Sequence, residues 1–195
     1  MTVTFVGDLS INDARLLAEI ASRASRILEF GVGGSTQIFA QAAPPGTPIF
    51  SVDTDDGWIE RTKENLAKLS VRERVTFLTY QAMWSEIADE KFDLIFDDGR
   101  DDLRLEFARQ TWDRLSVGGM LVFHDTRRAR DAANVFAIAS ERFLEIDMIR
   151  VNVSGSNLTS ILKKDAEPYV NWNYVEGREP WMWGAGLPPD GWPSK

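Results

Sequence analysis

Ile27-Leu28-Glu29-Phe30-Gly31-Val32-Gly33-Gly34-Ser35-Thr36 is the stretch on which the reading of this 195-residue chain turns. Its first four residues make a short apolar run suited to a buried strand, and the next four a tight glycine turn. Apolar spacing then returns at Ile38, Phe39 and Ala42, the pattern of a helix. A strand, a glycine turn and a helix N-terminus together form a nucleotide-binding start. Glycine suits the turn because chain leaving a buried strand often needs positive φ and close approach of backbone to ligand. Glu29 is the unusual member. An acid near the end of an apolar strand needs a partner, because burying an unpaired carboxylate is costly. A surface turn capped by Ser35 or Thr36 is the plainer alternative.

Composition narrows the function classes around this stretch. At 195 residues the chain is long enough for one domain with a real core and short for two. A net charge of −8 argues against a nucleic-acid surface, so no nucleic-acid partner is expected. With no cysteine, disulfides, thiolate metal sites and cysteine nucleophiles are excluded; His124, the single histidine, excludes a multi-histidine zinc site. No run approaches membrane-spanning length and no basic segment precedes an apolar one. The expectation is a soluble cytoplasmic protein with no membrane partner.

Outward from the glycine turn, helix and strand patterns alternate. Ser10 and Asp13 have the spacing of a capping box, and Ile11, Ala14, Leu17, Ala18 and Ala21 share one helical face behind them. Pro44-Pro45-Gly46 stops the helix that follows the turn. The second strand, Pro48 to Asp53, also ends in an acid, 22 positions after Gly31. That is the separation of a carboxylate gripping a ribose, where two oxygens accept from vicinal hydroxyls. Trp58 opens the next helix and is placed either beside a bound base or in packing. The third strand is Val75–Tyr80, and Gln81, Ala82 and Met83 leave its end as candidates to line an adenine pocket, or as a plain connection.

Phe92–Phe96 is the fourth strand, followed by Asp97-Asp98-Gly99-Arg100-Asp101-Asp102. Helix capping accounts for Asp101 and Asp102 better than for Asp97 and Asp98, which stand where chemistry gathers. Arg100 suits an anionic substrate group or a solvated surface pair. Ser116–Gly119 reads as a helix stop and turn before a fifth strand, Met120–Phe123, which ends in His124-Asp125. A helix over 127–143 with Ala132, Val135, Phe136 and Ala139 inward is followed by two extended runs, 145–153 and 158–163, joined as a hairpin. Five βα units and this hairpin make one α/β domain over 1–164. The tail 165–195 carries Trp172, Trp181, Trp183 and Trp192 among prolines and glycines. So much aromatic surface prefers burial, so the tail is expected to pack on the domain, to cover the ligand cleft, or to form an interface such as that of a homo-oligomer.

Two details separate this loop from that of nicotinamide-dependent oxidoreductases, the less favoured alternative. Their fingerprint has a third glycine where this chain has Thr36, and it does not require Glu29. Glu29-Phe30-Gly31-Val32-Gly33-Gly34-Ser35-Thr36 resembles the first motif of class I S-adenosylmethionine-dependent methyltransferases. The order of elements agrees through Asp53, Asp93–Gly99, and Gly118-Gly119 before His124-Asp125, over residues 10 to 163. The resemblance implies a Rossmann-like doubly wound sheet of seven strands, order 3-2-1-4-5-7-6, with strand 7 antiparallel. It also implies the cofactor's methionine end near Glu29, Gly31 and Gly33, with Ser35 and Thr36 in the same motif, and its ribose on Asp53. Adenine would lie near Trp58 and Gln81–Met83, with Asp98 at the methyl-transfer end.

The function so implied is methyl transfer to a small-molecule acceptor, on oxygen. Transfer from a sulfonium depends chiefly on in-line alignment, but an oxygen nucleophile must also lose a proton. His124 is the candidate general base, being the only side chain with a reference pKa near neutrality. Metal-dependent O-methyltransferases of the family carry an acid after strand four and an acid pair, or acid and amide, after strand five. Asp98 and Asp125 match in place while His124 departs from that pattern, so a divalent ion is left open and no metal ligand is assigned. A methyltransferase-like domain that binds a ligand without catalysis is the remaining alternative.

Overall fold

The computed structural model describes residues 3–152 and 155–164. The tail over 165–195, with its expected packing role, lies outside them. Seven strands in the described residues form one sheet: β1 (Ile27–Phe30), β2 (Ile49–Asp53), β3 (Val75–Thr79), β4 (Phe92–Asp97), β5 (Leu115–Phe123), β6 (Ile146–Val151) and β7 (Thr159–Lys163). Their order is β3-β2-β1-β4-β5-β7-β6. Pairing is parallel from β3 through to β5, and β7 runs antiparallel to both β5 and β6. The expected order and the antiparallel seventh strand are both present.

Helices α1 (Ile11–Ala21), α2 (Gly34–Ala42), α3 (Asp56–Lys68), α4 (Tyr80–Glu86), α5 (Arg104–Thr111) and α6 (Ala129–Glu141) accompany the sheet. Every residue of β1 is buried, as a central strand covered on both faces requires. One core cluster gathers Leu17, Ile27, Ile38, Phe39, Leu66 and Phe96. A second gathers Leu28, Phe30, Met83, Phe107, Trp112 and Ile138. Alternate residues of β1 thus feed opposite clusters, which follows from the period-2 side-chain direction of a strand.

Helix α1 starts where the capping box placed it: Ser10 Oγ accepts from the Asp13 amide at 3.1 Å, and Asp13 Oδ2 accepts from the Ser10 amide at 3.1 Å. Four expectations need correction. Ile11 and Phe136 face outward, Phe136 with 71% exposure, because α6 turns Val135 and Ile138 to the core instead. Ser116–Gly119 is not a turn ahead of the fifth strand but lies within β5. There the register passes from Phe92↔Leu115 to Leu94↔Met120, so the extra residues loop out, with Gly118 at φ 78°. Gln81, Ala82 and Met83 sit on α4, capped by Thr79, rather than on a connecting loop. The hairpin strands are shorter than expected, Ile146–Val151 and Thr159–Lys163.

Candidate active site

Strand β1 pairs with β2 on one side and β4 on the other, so the strand order reverses there. A crevice opens outside the carboxyl ends of strands at such a point. Here it is a cavity of about 600 Å³.

The glycine loop forms its floor. Gly31 donates its N–H to Val52 O at 2.8 Å and adopts φ 94°. A Cβ at Gly31 would stand 2.3 Å from the Asp98 carbonyl oxygen, so only glycine fits. A Cβ at Gly33 would meet no atom within 4 Å, which leaves the space over the loop open.

Glu29 finds its partners in three hydroxyls. Its Oε1 accepts from Ser35 Oγ, and its Oε2 from Thr36 Oγ1 at 2.7 Å and Ser51 Oγ at 2.6 Å. Burial pushes the Glu29 carboxyl up to about 7, against the three hydroxyls that favour its charge and with help from Asp98. These bonds tie β1, β2 and the start of α2 together beneath the loop.

Another wall comes from the end of β2 and the start of α3. Asp53 Oδ2 accepts from the Val32 amide at 2.9 Å, while Oδ1 accepts from the amides of Thr54 at 2.7 Å and Asp55 at 3.0 Å. The carboxylate is therefore held rigidly at the cavity edge. Trp58 is 49% exposed and borders the same space, with the Arg61 guanidinium carbon 4.7 Å from its ring centroid.

The far wall is a charged cluster at the ends of β4 and β5. His124 Nδ1 lies 3.0 Å from Asp98 Oδ1 and 3.7 Å from Asp125 Oδ1, and its Nε2 lies 3.7 Å from Asp13 Oδ2. Burial alone would lower the imidazole pKa; the neighbouring Asp98, with Asp125 and Asp13, outweighs it and raises the value above 6.5. Asp98 borders the cavity, whereas Asp97 is fully buried and burial drives its carboxyl well above the usual range despite Arg104.

Gly31, Gly33, Ser35, Asp53, Trp58, Asp98 and His124 are thus brought together around one cavity. Five other candidates are not on its wall. Glu29 and Thr36 lie under the loop, fully buried. Met83 is fully buried in the second core cluster, and Gln81 and Ala82 are exposed elsewhere on α4. The helix that starts at Tyr80 carries this segment off the strand end, and the apolar Met83 goes to the core. Sequence reading missed Arg104, Arg128 and the segment Val6–Leu9, all of which border the cavity. Gln37 holds that segment in place: its Oε1 accepts from Val6 N at 3.0 Å and its Nε2 donates to Val6 O at 2.9 Å. Asp13, which the sequence shows only as a helix cap, also faces His124. Of these, Arg104 alone carried a local signal, an arginine opening a helix beside four aspartates; no local pattern marked the others.

A family model described as a methyltransferase domain matches residues 28–126, just over half of the chain. The chain belongs to the methyltransferase domain family. The matched span of this methyltransferase runs from the first motif on β1 through His124 and Asp125, so it contains most of the cavity. Membership bears out the class I resemblance and sets aside the oxidoreductase alternative. No curated protein matches the chain by sequence.

Several solved structures share the fold of this methyltransferase. The O-methyltransferase TomG from Streptomyces achromogenes, in complex with SAM, is 19% identical with a TM-score of 0.67, over 81% of this chain and 82% of that one. An O-methyltransferase from Bacillus cereus, in complex with SAH, is 17% identical with a TM-score of 0.66, over 80% and 83%. The SAH-bound methyltransferase PaMTH1 from Podospora anserina is 20% identical with a TM-score of 0.64, over 80% of each. No helix among the described residues is long and apolar enough to cross a membrane.

Proposed function

We propose that this methyltransferase moves a methyl group from S-adenosylmethionine to an oxygen of a small-molecule acceptor. The observation that carries the reading is the cavity itself, with the glycine loop and Asp53 at one end and His124 beside Asp98 at the other. Its residues fit the cofactor in kind. Gly33 leaves open room above the loop. Asp53 is an anchored carboxylate with lone pairs to spare for ribose hydroxyls, and Trp58 offers a half-exposed ring for a base. Asp98 offers a carboxylate near the methionine end. The bound cofactor supplies an activated methyl group on a sulfonium sulfur.

The chain's own residues then do two things. The loop, Asp53 and the cavity walls fix orientation, the main requirement of an in-line displacement. His124 takes the proton from the acceptor oxygen, and the imidazolium so formed is stabilised by Asp98 at 3.0 Å. Isothermal titration calorimetry with S-adenosylhomocysteine tests the reading, with binding in the micromolar range, roughly, as is usual for cofactors. A flat titration would remove it.

Binding without catalysis is a second reading, favoured by one observation. Asp98 Oδ1 already lies 3.0 Å from His124 Nδ1, and the imidazole is held towards its charged form, which cannot accept a proton. Cofactor turnover at high pH with an accepted substrate separates the two.

A further inference from the structure

Asp98, His124 and Asp125 each present a ligand atom, and these atoms lie within 4.8 Å of one another. They stand where metal-dependent relatives are expected to bind a divalent ion. The donor set does not fit one, because a protein cation is already there. Arg104, the first residue of α5, is 4% exposed. Its Nη2 donates to Asp98 Oδ1 at 2.8 Å and lies 3.9 Å from Asp125 Oδ2. The rest of the guanidinium is pinned: Nε donates to Gly99 O at 2.7 Å, and Nη1 to Asp131 Oδ1 at 3.1 Å and His124 O at 3.4 Å.

A guanidinium is a permanent cation of fixed shape. A Mg²⁺ ion about 2.1 Å from Asp98 Oδ1 would have to share that oxygen with Nη2, against like-charge repulsion in a buried setting. Arg104 has no free swing to avoid this, because its other bonds run to buried or backbone acceptors. Asp125 is spoken for as well. Its Oδ1 accepts from Asn157 Nδ2 at 2.8 Å, and its Oδ2 accepts from Arg128 Nη2. The fold is also paying in backbone strain to place it, with Asp125 in the left-handed region at φ 60°.

We infer that Arg104 takes the place of a metal in this site, and that the protein works without a divalent ion. Arg104 borders the cavity beside Asp98 and His124, so its guanidinium, with those of Arg100 and Arg128, puts fixed positive charge on that wall. The second clause rests on the methyl-transfer reading; the first does not. Acceptors that are already anionic, or whose hydroxyl is acidic, suit a site with a fixed cation and one base.

The test is Mn²⁺ binding followed by electron paramagnetic resonance, alongside S-adenosylhomocysteine calorimetry on the same preparations. Wild-type protein should hold no Mn²⁺ at micromolar to sub-millimolar concentration. Arg104→Met should gain one site, tighter than wild type by about 10-fold or more, and Asp98→Asn should abolish the gain. Arg104→Gln, which keeps polarity and removes charge, should show the same gain should the Met variant fail to fold. A saturable wild-type Mn²⁺ site lost in Asp98→Asn overturns the inference, as does a folded Arg104 variant with no gain. Loss of S-adenosylhomocysteine binding in the wild type would strike the proposed function and leave the Mn²⁺ result standing.

Discussion

His124 Nδ1 stands 3.0 Å from Asp98 Oδ1 across the ends of β5 and β4. The contact joins the one histidine of the chain to the acid placed before Gly99, and it fixes how the site responds to pH. The imidazole pKa is raised above 6.5 although burial alone would lower it. A base works when neutral, so the rate should climb with pH along a limb centred above 6.5. In the Asp98→Asn variant, which removes the strongest raising influence, that limb should move to lower pH. His124→Ala should cost about 10²- to 10⁴-fold in turnover. An unchanged rate in His124→Ala would end its assignment as base. The stability effect has the opposite sign. A histidine whose folded pKa is raised contributes stability that is fully present below pH 6.5 and is lost as pH climbs through the folded value.

Glu29 gives the second pH signature. Its folded pKa of about 7 exceeds the ordinary value of 4.5 for a glutamate, so the folded protein binds more protons than the unfolded chain between them. Stability should therefore fall as pH rises from about 4.5 to 7, by something on the order of 3 kcal/mol from this group. Glu29→Gln should flatten that part of a Tm-against-pH curve, measured by calorimetry. An identical curve in the variant would mean that Glu29 is ionised normally in the fold.

Gly31 tests the loop. Replacement by alanine puts a Cβ 2.3 Å from the Asp98 carbonyl oxygen in a left-handed conformation. Gly31→Ala should destabilise the protein by at least about 1 kcal/mol and should abolish S-adenosylhomocysteine binding, since β1 and β4 must separate to admit the methyl. Gly33→Ala, with no atom within 4 Å of its Cβ, should fold normally and weaken binding only by filling the space over the loop.

Trp58 and Met83 separate site from core. Trp58→Ala should weaken nucleoside binding by about 10-fold with little change in Tm, because the ring is half exposed at the cavity edge. Met83→Ala should do the reverse. It empties a buried position in the second core cluster, costs about 2–5 kcal/mol of stability, and leaves cofactor affinity in the folded protein unchanged. Calorimetric titration and thermal unfolding of the two variants check both halves.

Periodicity and turn chemistry determined most elements of this protein to within a residue, the strands read at 27–30, 48–53, 75–80 and 92–96 standing at 27–30, 49–53, 75–79 and 92–97, together with the α1 capping box; the sheet order followed from the resemblance of the first motif and the element order. These are local matters, decided within a few residues by burial, φ and hydrogen bonding. The acid Glu29 was legible as needing a partner, and Ser35 and Thr36 stand only six and seven residues on; Ser51, its third, is 22 residues on. What only the tertiary structure decided is who meets whom across the sheet's edge. Asp13 accepts from the Asn157 amide across 144 residues and faces His124 from the opposite end of the chain. Arg104 closes over Asp98 and Asp131. No spacing rule reaches from Asp13 to Asn157 or from Arg104 to Asp131. The original glycine stretch names the kind of ligand, while the charges gathered by the folded chain set the chemistry beside it.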